Sequence, residues 1–375
     1  MVMSDKRFAG AVLRVDLGAI RANYRLLQSM LGPRVRCAGV VKANAYGLGA
    51  SRVAPALASE GCRDFFVAHL DEALALQPHL PEAARIYILN GLPFGAEAEC
   101  ASAGLIPVLN SAAQLASWAE CARLLGTRLA AVIQVDTGMN RMGLSLREMA
   151  EVSRQNSAAD AIDVKFVMSH LACADEPAHE ANAAQSAAFN ALRDFFPGVP
   201  RSLANSSGVF LGPDFHHDMV RPGAAVYGIN PVPSQTNPMQ PVVQLTAQVV
   251  QLRDVGPGDH IGYGWAHRAE KPSRLATLSI GYADGWHRAP GGVVYVGDTP
   301  LPLVGRVSMD SIIVDLGADG AAQVSPGSMI ELIGEHQSID MVASAMGTIG
   351  HDVLTGLGAR FERHYIGAEG AAVLP

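Results

Sequence analysis

Apolar and polar positions repeat along the first 230 residues in a strand–helix pattern. Short apolar runs rich in β-branched residues predict strands, and Ala-rich amphipathic stretches predict helices between them. Eight such strands predict an α/β barrel of the TIM-like (β/α)8 type, with a doubly wound open sheet as the structural alternative. The predicted strands are 37–42, 65–70, 86–90, 106–110, 129–136, 164–170, 202–206 and 224–228; the predicted helices are 54–59, 71–77, 111–125, 146–155 and 181–195.

The chain before the first barrel strand has its own pattern. Residues 11–16 predict a strand, and Ile20, Tyr24, Leu27 and Leu31 follow on one face of a predicted helix that Gly32-Pro33 ends.

The hydrophobic period changes after a segment that holds four prolines, 230–241. Polar and apolar residues then alternate with a period of two from 244 to 249, and strand-like runs follow at 275–280, 293–296, 301–307, 311–316 and 329–333. We therefore expect a (β/α)8 barrel domain over 11–235 and a mainly β C-terminal domain over 236–375, which the N-terminal segment 1–16 can join as an extra strand.

Composition narrows the function classes. The chain has 375 residues, 49% of them hydrophobic, 17% charged, and a net charge of −7. The sequence has no basic stripe, no apolar run of about 18 residues and no signal-peptide pattern, so we expect no nucleic-acid partner, no membrane partner and a cytoplasmic location. The five cysteines are scattered without a CxxC motif, which is typical of reduced thiols.

Polar residues cluster at the carboxyl ends of the predicted strands. In a (β/α)8 barrel this is the face that carries the active site. These residues are Lys42, His69, Asn90, Asn110, Asp136, His170, Asn205 and Ser206.

Lys42 stands apart from the other three lysines, Lys6, Lys165 and Lys271. It follows an apolar run and precedes a glycine turn. Desolvation there favours the neutral amine that attacks carbonyls, and pyridoxal 5'-phosphate (PLP) is the usual aldehyde for such a lysine. The competing interpretation is a lysine that only extends its ammonium to water at a strand end.

Eight motifs in order resemble the alanine racemases, PLP enzymes with an N-terminal barrel and a C-terminal β domain. The resemblance covers nearly the whole chain. The motifs are VKANAYG (41–47), DTGMNRMG (136–143), SH (169–170) with AD (174–175), ANS (204–206), VRPG (220–223), GYG (262–264), IGYADG (280–285) and GRVSMD (305–310).

The resemblance implies racemisation of L- and D-alanine by two bases, since one base tends to return the proton to the face it came from. Lys42 is implied as the Schiff-base lysine and one base. Tyr263 is implied as the second base, supplied by the partner subunit of a homodimer. A tyrosine is a poor base at neutral pH unless cations stabilise its phenolate.

The resemblance also implies the remaining site residues. Arg221 would face the pyridine nitrogen of PLP, and because it stays charged it would leave that nitrogen unprotonated; His170 would hydrogen-bond Arg221. Arg141 and the Met309 N–H would hold the substrate carboxylate, with Arg141 also on the cofactor. The implied phosphate and cofactor contacts are Tyr46, Asn205, Ser206, the N–H groups of Gly223 and Ala224, and His351.

Two positions depart from the family pattern. Gln134 stands where many members carry a carbamylated lysine that orients the arginine equivalent to Arg141; a glutamine can accept a hydrogen bond from Arg141, or a bound anion can supply the charge. His351 stands where the family usually has a tyrosine, and it would either add a positive charge at low pH or leave a wider entrance.

Other functions remain as alternatives or are set aside. A racemase for serine or larger side chains is the nearest rival, and a non-catalytic PLP carrier is a rival from another class. The C-terminal domain with Tyr263 argues against the carrier and against a PLP decarboxylase. We expect no metal, because His216 and His217 are adjacent on an irregular loop without a third ligand. Gly356-Leu357-Gly358 lacks the third glycine of a dinucleotide fingerprint.

Overall fold

The computed structural model describes residues 8–154, 161–289, 291–318 and 323–367. Positions 1–7 of the predicted N-terminal strand segment and residue 155 of the predicted helix 146–155 lie outside this range. Across the described ranges, no helix is long and apolar enough to cross a membrane.

The chain begins with a strand, β1 (Ala11–Asp16), that runs directly into helix α1 (Leu17–Ser29). The Asp16 carboxylate caps the helix by accepting the Ala19 N–H at 2.9 Å. The predicted apolar face packs inward, with Ile20 fully buried.

A parallel sheet of the predicted barrel type follows. Its strands are β2 (Arg36–Cys37), β3 (Gly39–Val40), β4 (Asp64–Val67), β5 (Arg85–Ile88), β6 (Ile106–Leu109), β7 (Leu129–Gln134), β8 (Ile162–Met168), β9 (Arg201–Ser202) and β10 (Met219–Val220). The first helical segment, α2 (Lys42–Tyr46), is a single left-handed turn. The helices of this part are α3 (Ala50–Ser59), α4 (Leu70–Leu76), α5 (Glu97–Ser102), α6 (Ala112–Leu125), α7 (Leu146–Arg154), α8 (Glu180–Ala191) and α9 (Ser206–Phe210).

The sheet closes on itself. Its order is β2-β10-β9-β8-β7-β6-β5-β4-β3, and β2 and β3 are two halves of one strand that is interrupted at Ala38. The Ala38 N–H donates to the Val220 carbonyl at 3.0 Å, so the last strand pairs with the first. The (β/α)8 barrel is confirmed, and the open-sheet alternative is wrong.

The eighth strand is displaced from its predicted position. Residues 224–228 were expected to form it, but Ala224–Tyr227 is a 3-10 turn, and β10 lies earlier at Met219–Val220. The Ser206 hydroxyl accepts the N–H groups of Gly223 and Ala225, which curls the chain. An apolar run alone does not distinguish a buried strand from a buried helical turn.

Two other predicted strands end early. The predicted strand 37–42 stops at Val40, and Lys42 opens a tight turn. The predicted strand 202–206 stops at Ser202, because the Asn205 side chain accepts the Gly208 N–H at 2.9 Å and caps α9.

The C-terminal part is mainly β, as predicted. Its strands are β11 (Val243–Val255), β12 (His260–Ile261), β13 (His267–Arg268), β14 (Ser273–Leu278), β15 (Val293–Val296), β16 (Thr299–Pro302), β17 (Ile312–Asp315), β18 (Met329–Ile333) and β19 (Glu362–Ile366); its helices are α10 (Ile339–Met346) and α11 (Gly350–Gly356). Strand β1 belongs to this sheet, antiparallel to β11 with Leu13 opposite Leu245 and parallel to β19 with Leu13 opposite Arg363.

The two parts share one hydrophobic core. Helix α11 reaches the mouth of the barrel: a Cβ on Gly47 would lie 2.6 Å from the Leu354 carbonyl oxygen. A smaller separate cluster of Ile261, Ala269, Leu275 and Val304 supports the β12–β13 ribbon, which carries Tyr263.

Candidate active site

The turn after β3 has an unusual backbone. Ala43, Asn44, Ala45 and Tyr46 all have φ of 53–54°, in the left-handed region. This conformation costs L-residues about 1–2 kcal/mol each, so the surroundings must enforce it. Lys42 is the residue that leads into this turn, at the carboxyl end of the first barrel strand.

Hydrogen bonds from several elements fix the turn. The Val41 N–H donates to the Phe66 carbonyl at 2.8 Å, the Gly47 N–H to the Ala43 carbonyl at 2.8 Å, and the Asn44 side-chain oxygen accepts the Ala50 N–H at 2.8 Å. Strand, turn and α3 therefore hold Lys42 in one place.

The Lys42 amine is set up as a nucleophile. Burial lowers its pKa from the ordinary value, the positive charge of Arg141 lowers it further, and Glu72 acts in the opposite direction. A lowered pKa increases the share of neutral amine at neutral pH.

Arg221 is the buried cation of the site. It is 4% exposed and donates to the Ser169 carbonyl at 2.6 Å, to the Ser202 hydroxyl and to His170 Nδ1 at 3.4 Å. Burial lowers its pKa to about 9, so it remains a cation at pH 7.

His170 lies beside Arg221 as a neutral ring. Burial and the nearby cations Arg221, Arg141 and Lys42 lower its pKa to about 3. Because it stays uncharged, Nδ1 can accept from the guanidinium. The structure therefore brings together His170 and Arg221, the pair that the sequence placed on separate strands.

A compact cradle forms where α2, α9 and the 3-10 turn at 224–227 meet. A Cβ on Gly223 would lie 2.3 Å from the Tyr46 hydroxyl, so only glycine fits there. Burial raises the pKa of Tyr46 to about 12, which keeps its hydroxyl a neutral donor. The Ser206 hydroxyl accepts the Gly223 N–H at 2.9 Å, and Asn205 serves as the α9 cap. In the described chain, the Ala224 N–H has no hydrogen-bond acceptor.

This cradle fits the phosphate of PLP. It offers the Tyr46 and Ser206 hydroxyls and the N–H of Ala224, and backbone N–H groups around a glycine are a common anion site. Lys42 and Arg221 come from neighbouring strands of the same barrel end. The residues present are therefore suited to hold the cofactor by its phosphate, its aldehyde carbon and its ring nitrogen.

Arg141 lies exposed on the loop after β7. Asp136 shapes this loop, because its carboxylate accepts the N–H groups of Gly138, Met139 and Asn140 at 2.9–3.1 Å. Gln134 is buried and donates to the Met142 carbonyl at 3.2 Å. Within the described ranges no hydrogen bond joins Gln134 to Arg141.

His351 comes from α11 in the C-terminal part. Its ring meets that of Tyr46 edge-on, with 6.5 Å between centroids. Partial desolvation and the Lys42 charge lower the pKa of His351, against the opposing effect of Asp352 and Asp340. A neutral imidazole at pH 7 follows, so a positive charge on His351 requires acidic conditions.

The other predicted residues of the C-terminal part lie apart from this cluster. Tyr263 is 68% exposed in a turn between two glycines, Gly262 and Gly264, both with positive φ, and Met309 is 53% exposed. No hydrogen bond joins the Tyr263 hydroxyl to another described residue. The structure of one chain thus leaves these two side chains facing outward.

The sequence interpretation missed several residues of the site. Tyr227 packs on Tyr46 with 4.5 Å between ring centroids, and Gln185 donates to the His170 carbonyl at 2.9 Å. Glu72 accepts N–H groups from two loops. Only Glu72 had a sequence signal, because a glutamate three positions after a helix cap is a capping-box pattern.

The pair His216 and His217 serves the barrel structure. His216 is buried with Nε2 2.8 Å from the Val209 carbonyl, and His217 packs on Phe189. In the described ranges, no group of three or more His, Cys, Asp or Glu side chains could hold a metal ion.

Comparison with known proteins gives consistent matches over the chain. Residues 15–231 match the sequence model described as alanine racemase, N-terminal domain, and residues 242–365 match alanine racemase, C-terminal domain. A catabolic alanine racemase of Mesorhizobium japonicum is 54% identical over 96% of this chain and 94% of that relative. An alanine racemase of Brucella ovis is 46% identical over 96% and 95%.

Solved structures agree. An alanine racemase from Bartonella henselae with covalently bound pyridoxal phosphate has a TM-score of 0.91 and 44% identity, over 96% of this chain and 100% of that one. A biosynthetic alanine racemase from Pseudomonas aeruginosa has a TM-score of 0.88 and 36% identity, over 96% and 99%.

Proposed function

Because this chain belongs to the alanine racemase family, we propose that it interconverts L-alanine and D-alanine by a two-base mechanism. Family membership makes the chain an amino-acid racemase, an isomerase with PLP as its cofactor. The observation that carries the proposal is Lys42, a lysine with a lowered pKa in an enforced turn beside the Arg221–His170 pair and the phosphate cradle.

The cofactor supplies one kind of chemistry when bound: its ring withdraws electrons from the substrate Cα and makes the Cα–H acidic. Lys42 would hold the cofactor covalently, and its free amine would take or return the proton on one face of the substrate Cα. Its lowered pKa suits an amine that must accept a proton at neutral pH.

Arg221 would restrict the reactions that the bound cofactor supports, through the protonation state of the ring nitrogen. A guanidinium cannot give up its proton to the ring nitrogen, and burial leaves Arg221 charged at pH 7. Arg221 held against the ring nitrogen would therefore keep that nitrogen unprotonated and weaken the electron withdrawal. Weaker withdrawal would suit a reaction that moves one proton and would suppress transamination.

Tyr263 is proposed as the base on the other face, from the partner subunit. Its exposure supports this role, because a catalytic tyrosine turned outward needs a second surface to complete its site. A Cβ on Gly264 would lie 3.1 Å from Arg306 Nη1, so a guanidinium lies against the same turn and can stabilise a phenolate. Met309 and Arg141 are proposed to hold the substrate carboxylate.

We propose a homodimer, which would bring these residues to the other chain's barrel. Exposed large side chains cluster in the C-terminal part around the proposed partner residues: Tyr263 68%, Trp265 72%, Tyr282 44% and Met309 53% exposed. The Tyr282 N–H donates to the Ser308 carbonyl and the Ala283 N–H to that of Met309, so these loops form one surface. We propose domain limits of 11–235 and 236–375 with β1 in the second sheet, and a cytoplasmic location for a chain whose five cysteines are free.

The reaction serves either D-alanine supply for peptidoglycan or D-alanine breakdown. The names of two relatives contain the word catabolic, which favours breakdown. A host strain without this protein separates the roles: it would need added D-alanine in the first case and would fail to grow on D-alanine as carbon source in the second.

Cα-hydrogen exchange in deuterated water, with chiral analysis of each product, tests the proposed activity. We expect exchange and inversion for alanine alone among a panel of L-amino acids. Exchange with serine or longer side chains would favour the broader racemase, to which the exposed His351 at the cradle gives some support. Protein with PLP bound and no exchange would contradict the racemase and favour the carrier.

A further inference from the structure

The Glu72 carboxylate links two loops at the mouth of the barrel. Its Oε2 accepts the N–H groups of Ala68 at 2.7 Å and His69 at 3.2 Å, which caps α4. Its Oε1 accepts the Asn44 N–H at 3.3 Å. The first two contacts are those of an ordinary capping residue, whereas the third reaches into another element.

The third contact, from the Asn44 N–H, lies in the turn with the left-handed backbone. Asn44 is the second of four consecutive residues with left-handed φ, two positions after Lys42. Within the described chain, Glu72 is the acceptor of the Asn44 N–H. One carboxylate therefore ties the lysine turn to the end of β4.

We propose that Glu72 is a positioning residue that holds the Lys42 turn against the barrel and places its negative charge at that turn. The inference rests on the proposed function, since it assumes that Lys42 binds PLP. Glu72 itself does not touch the reacting atoms.

The charges around Lys42 give Glu72 a distinct role. Arg141, from the loop after β7, lowers the pKa of Lys42, whereas Glu72, from α4, raises it. The Lys42 charge also lowers the pKa of His170, which follows β8, and of His351 in α11. Among the effects of burial, Arg141 and Glu72 on the pKa of Lys42, that of Glu72 is the smallest, and it opposes the other two.

Two substitutions separate the contact from the charge. Glu72→Gln removes the charge and one of the two acceptor oxygens. Glu72→Asp keeps the charge and shortens the reach to Asn44 by one methylene. Asp71→Asn is the matched control, because Asp71 is an exposed carboxylate in the same helical turn that contacts no residue of the lysine turn through a hydrogen bond in the described structure.

The first measurement is PLP affinity, by titration of the full-length PLP-free chain with the yellow absorbance as readout. Loss of a charge-assisted contact predicts about tenfold weaker binding for Glu72→Gln and Glu72→Asp. The second is the pH midpoint of Lys42 acetylation by acetic anhydride, followed by mass spectrometry. This midpoint should move to lower pH in Glu72→Gln, because the carboxylate that raises the pKa of Lys42 is lost. It should be unchanged in Glu72→Asp and Asp71→Asn, which keep a charge at position 72.

Thermal unfolding of each variant shows whether it is folded. If Glu72→Gln does not fold, the PLP affinity of Glu72→Asp tests the inference. Unchanged PLP affinity in a folded Glu72 variant, or an equal loss in Asp71→Asn, would overturn the inference. Borohydride trapping separates it from the proposed function: PLP trapped on a lysine other than Lys42 contradicts the function itself, whereas trapping on Lys42 with unchanged Glu72 variants contradicts this inference alone.

Discussion

The two halves of the proposed site differ in how far one chain completes them. In the barrel half, hydrogen bonds from several elements hold the Lys42 turn, His170 and Arg221, and Arg221 is 4% exposed. In the C-terminal half, Tyr263 and Met309 are 68% and 53% exposed. The Tyr263 ribbon rests on a separate small cluster outside the main core.

This difference suggests a division of roles between cofactor binding and racemisation. In our proposal one chain holds the cofactor by its barrel half, because Arg221 and His170 are already paired there and the Ala224 N–H is left for the phosphate. The outer half is proposed to gain its surroundings from the partner subunit. If the proposal is right, substitutions in the barrel half weaken cofactor binding, whereas racemisation needs intact residues in both halves.

The largest effect is expected at Lys42. Lys42→Ala removes the covalent attachment and one base, so racemisation should fall by on the order of 10⁴-fold or more. Mass spectrometry after borohydride reduction should find no PLP on the chain. Lys165→Ala is the control, since Lys165 pairs with Asp163 at the opposite end of its strand; an equal loss there would contradict the assignment.

Tyr263→Phe should separate the halves. PLP should bind as in the wild type, while racemisation falls about 10²–10⁴-fold, as expected for a lost general acid or base. Cα-hydrogen exchange without inversion should persist for one alanine enantiomer, because Lys42 still serves one face. Tyr295→Phe, at a tyrosine that stacks on His336, is the control. Equal loss of exchange for both enantiomers would count against the two-base assignment.

The pairing inside the barrel half predicts a pH effect on stability. The pKa of His170 is about 3 in the folded chain, against an ordinary value of 6.5. Between these pH values the unfolded chain binds one proton that the folded chain does not. The stability that the neutral His170 ring contributes is therefore lost progressively as the pH falls below about 6.5. His170→Gln removes this uptake and keeps an acceptor for Arg221. Urea unfolding at pH 7 and pH 5 gives the change of the unfolding free energy with pH. In His170→Gln this change should be smaller than in the wild type, by the equivalent of at most about one proton. An unchanged pH dependence would mean that His170 titrates normally.

The smallest effect is expected at His351, where the two parts of the chain meet. Its pKa is lowered, so His351→Phe should leave PLP affinity nearly unchanged between pH 7 and 9 and alter it only under acidic conditions. His364→Phe, whose ring lies beside Glu362, serves as the control. No difference at any pH would reject the hypothesis that a charge on His351 holds the phosphate.

Much of the barrel could be predicted from the sequence, for a physical reason. Buried parallel strands are continuous apolar runs, and their carboxyl ends meet at one face, which is why Lys42 and His170 could be placed together. The prediction was wrong for the eighth strand, where the Ser206 hydroxyl curls an apolar segment into a 3-10 turn.

The contacts that shape the site were harder to predict. The left-handed backbone of residues 43–46 depends on Glu72 and on α3, which lie elsewhere in the sequence. Helix α11 was not predicted, although it brings His351 to Tyr46. The roles of Tyr263 and Met309 came from the family resemblance, because nothing in a turn sequence reveals a side chain that acts on another subunit.

The central claim is that one site is built from two chains, and mixed dimers test it most directly. Lys42→Ala and Tyr263→Phe chains with different tags would be co-expressed and the mixed species purified by both tags. If Lys42 of one chain acts with Tyr263 of its partner, each mixed dimer holds one intact site and should regain about half of wild-type activity. If both residues serve the same chain, every site in the mixed dimer lacks one of them, and activity no higher than that of the two parent variants would contradict the account.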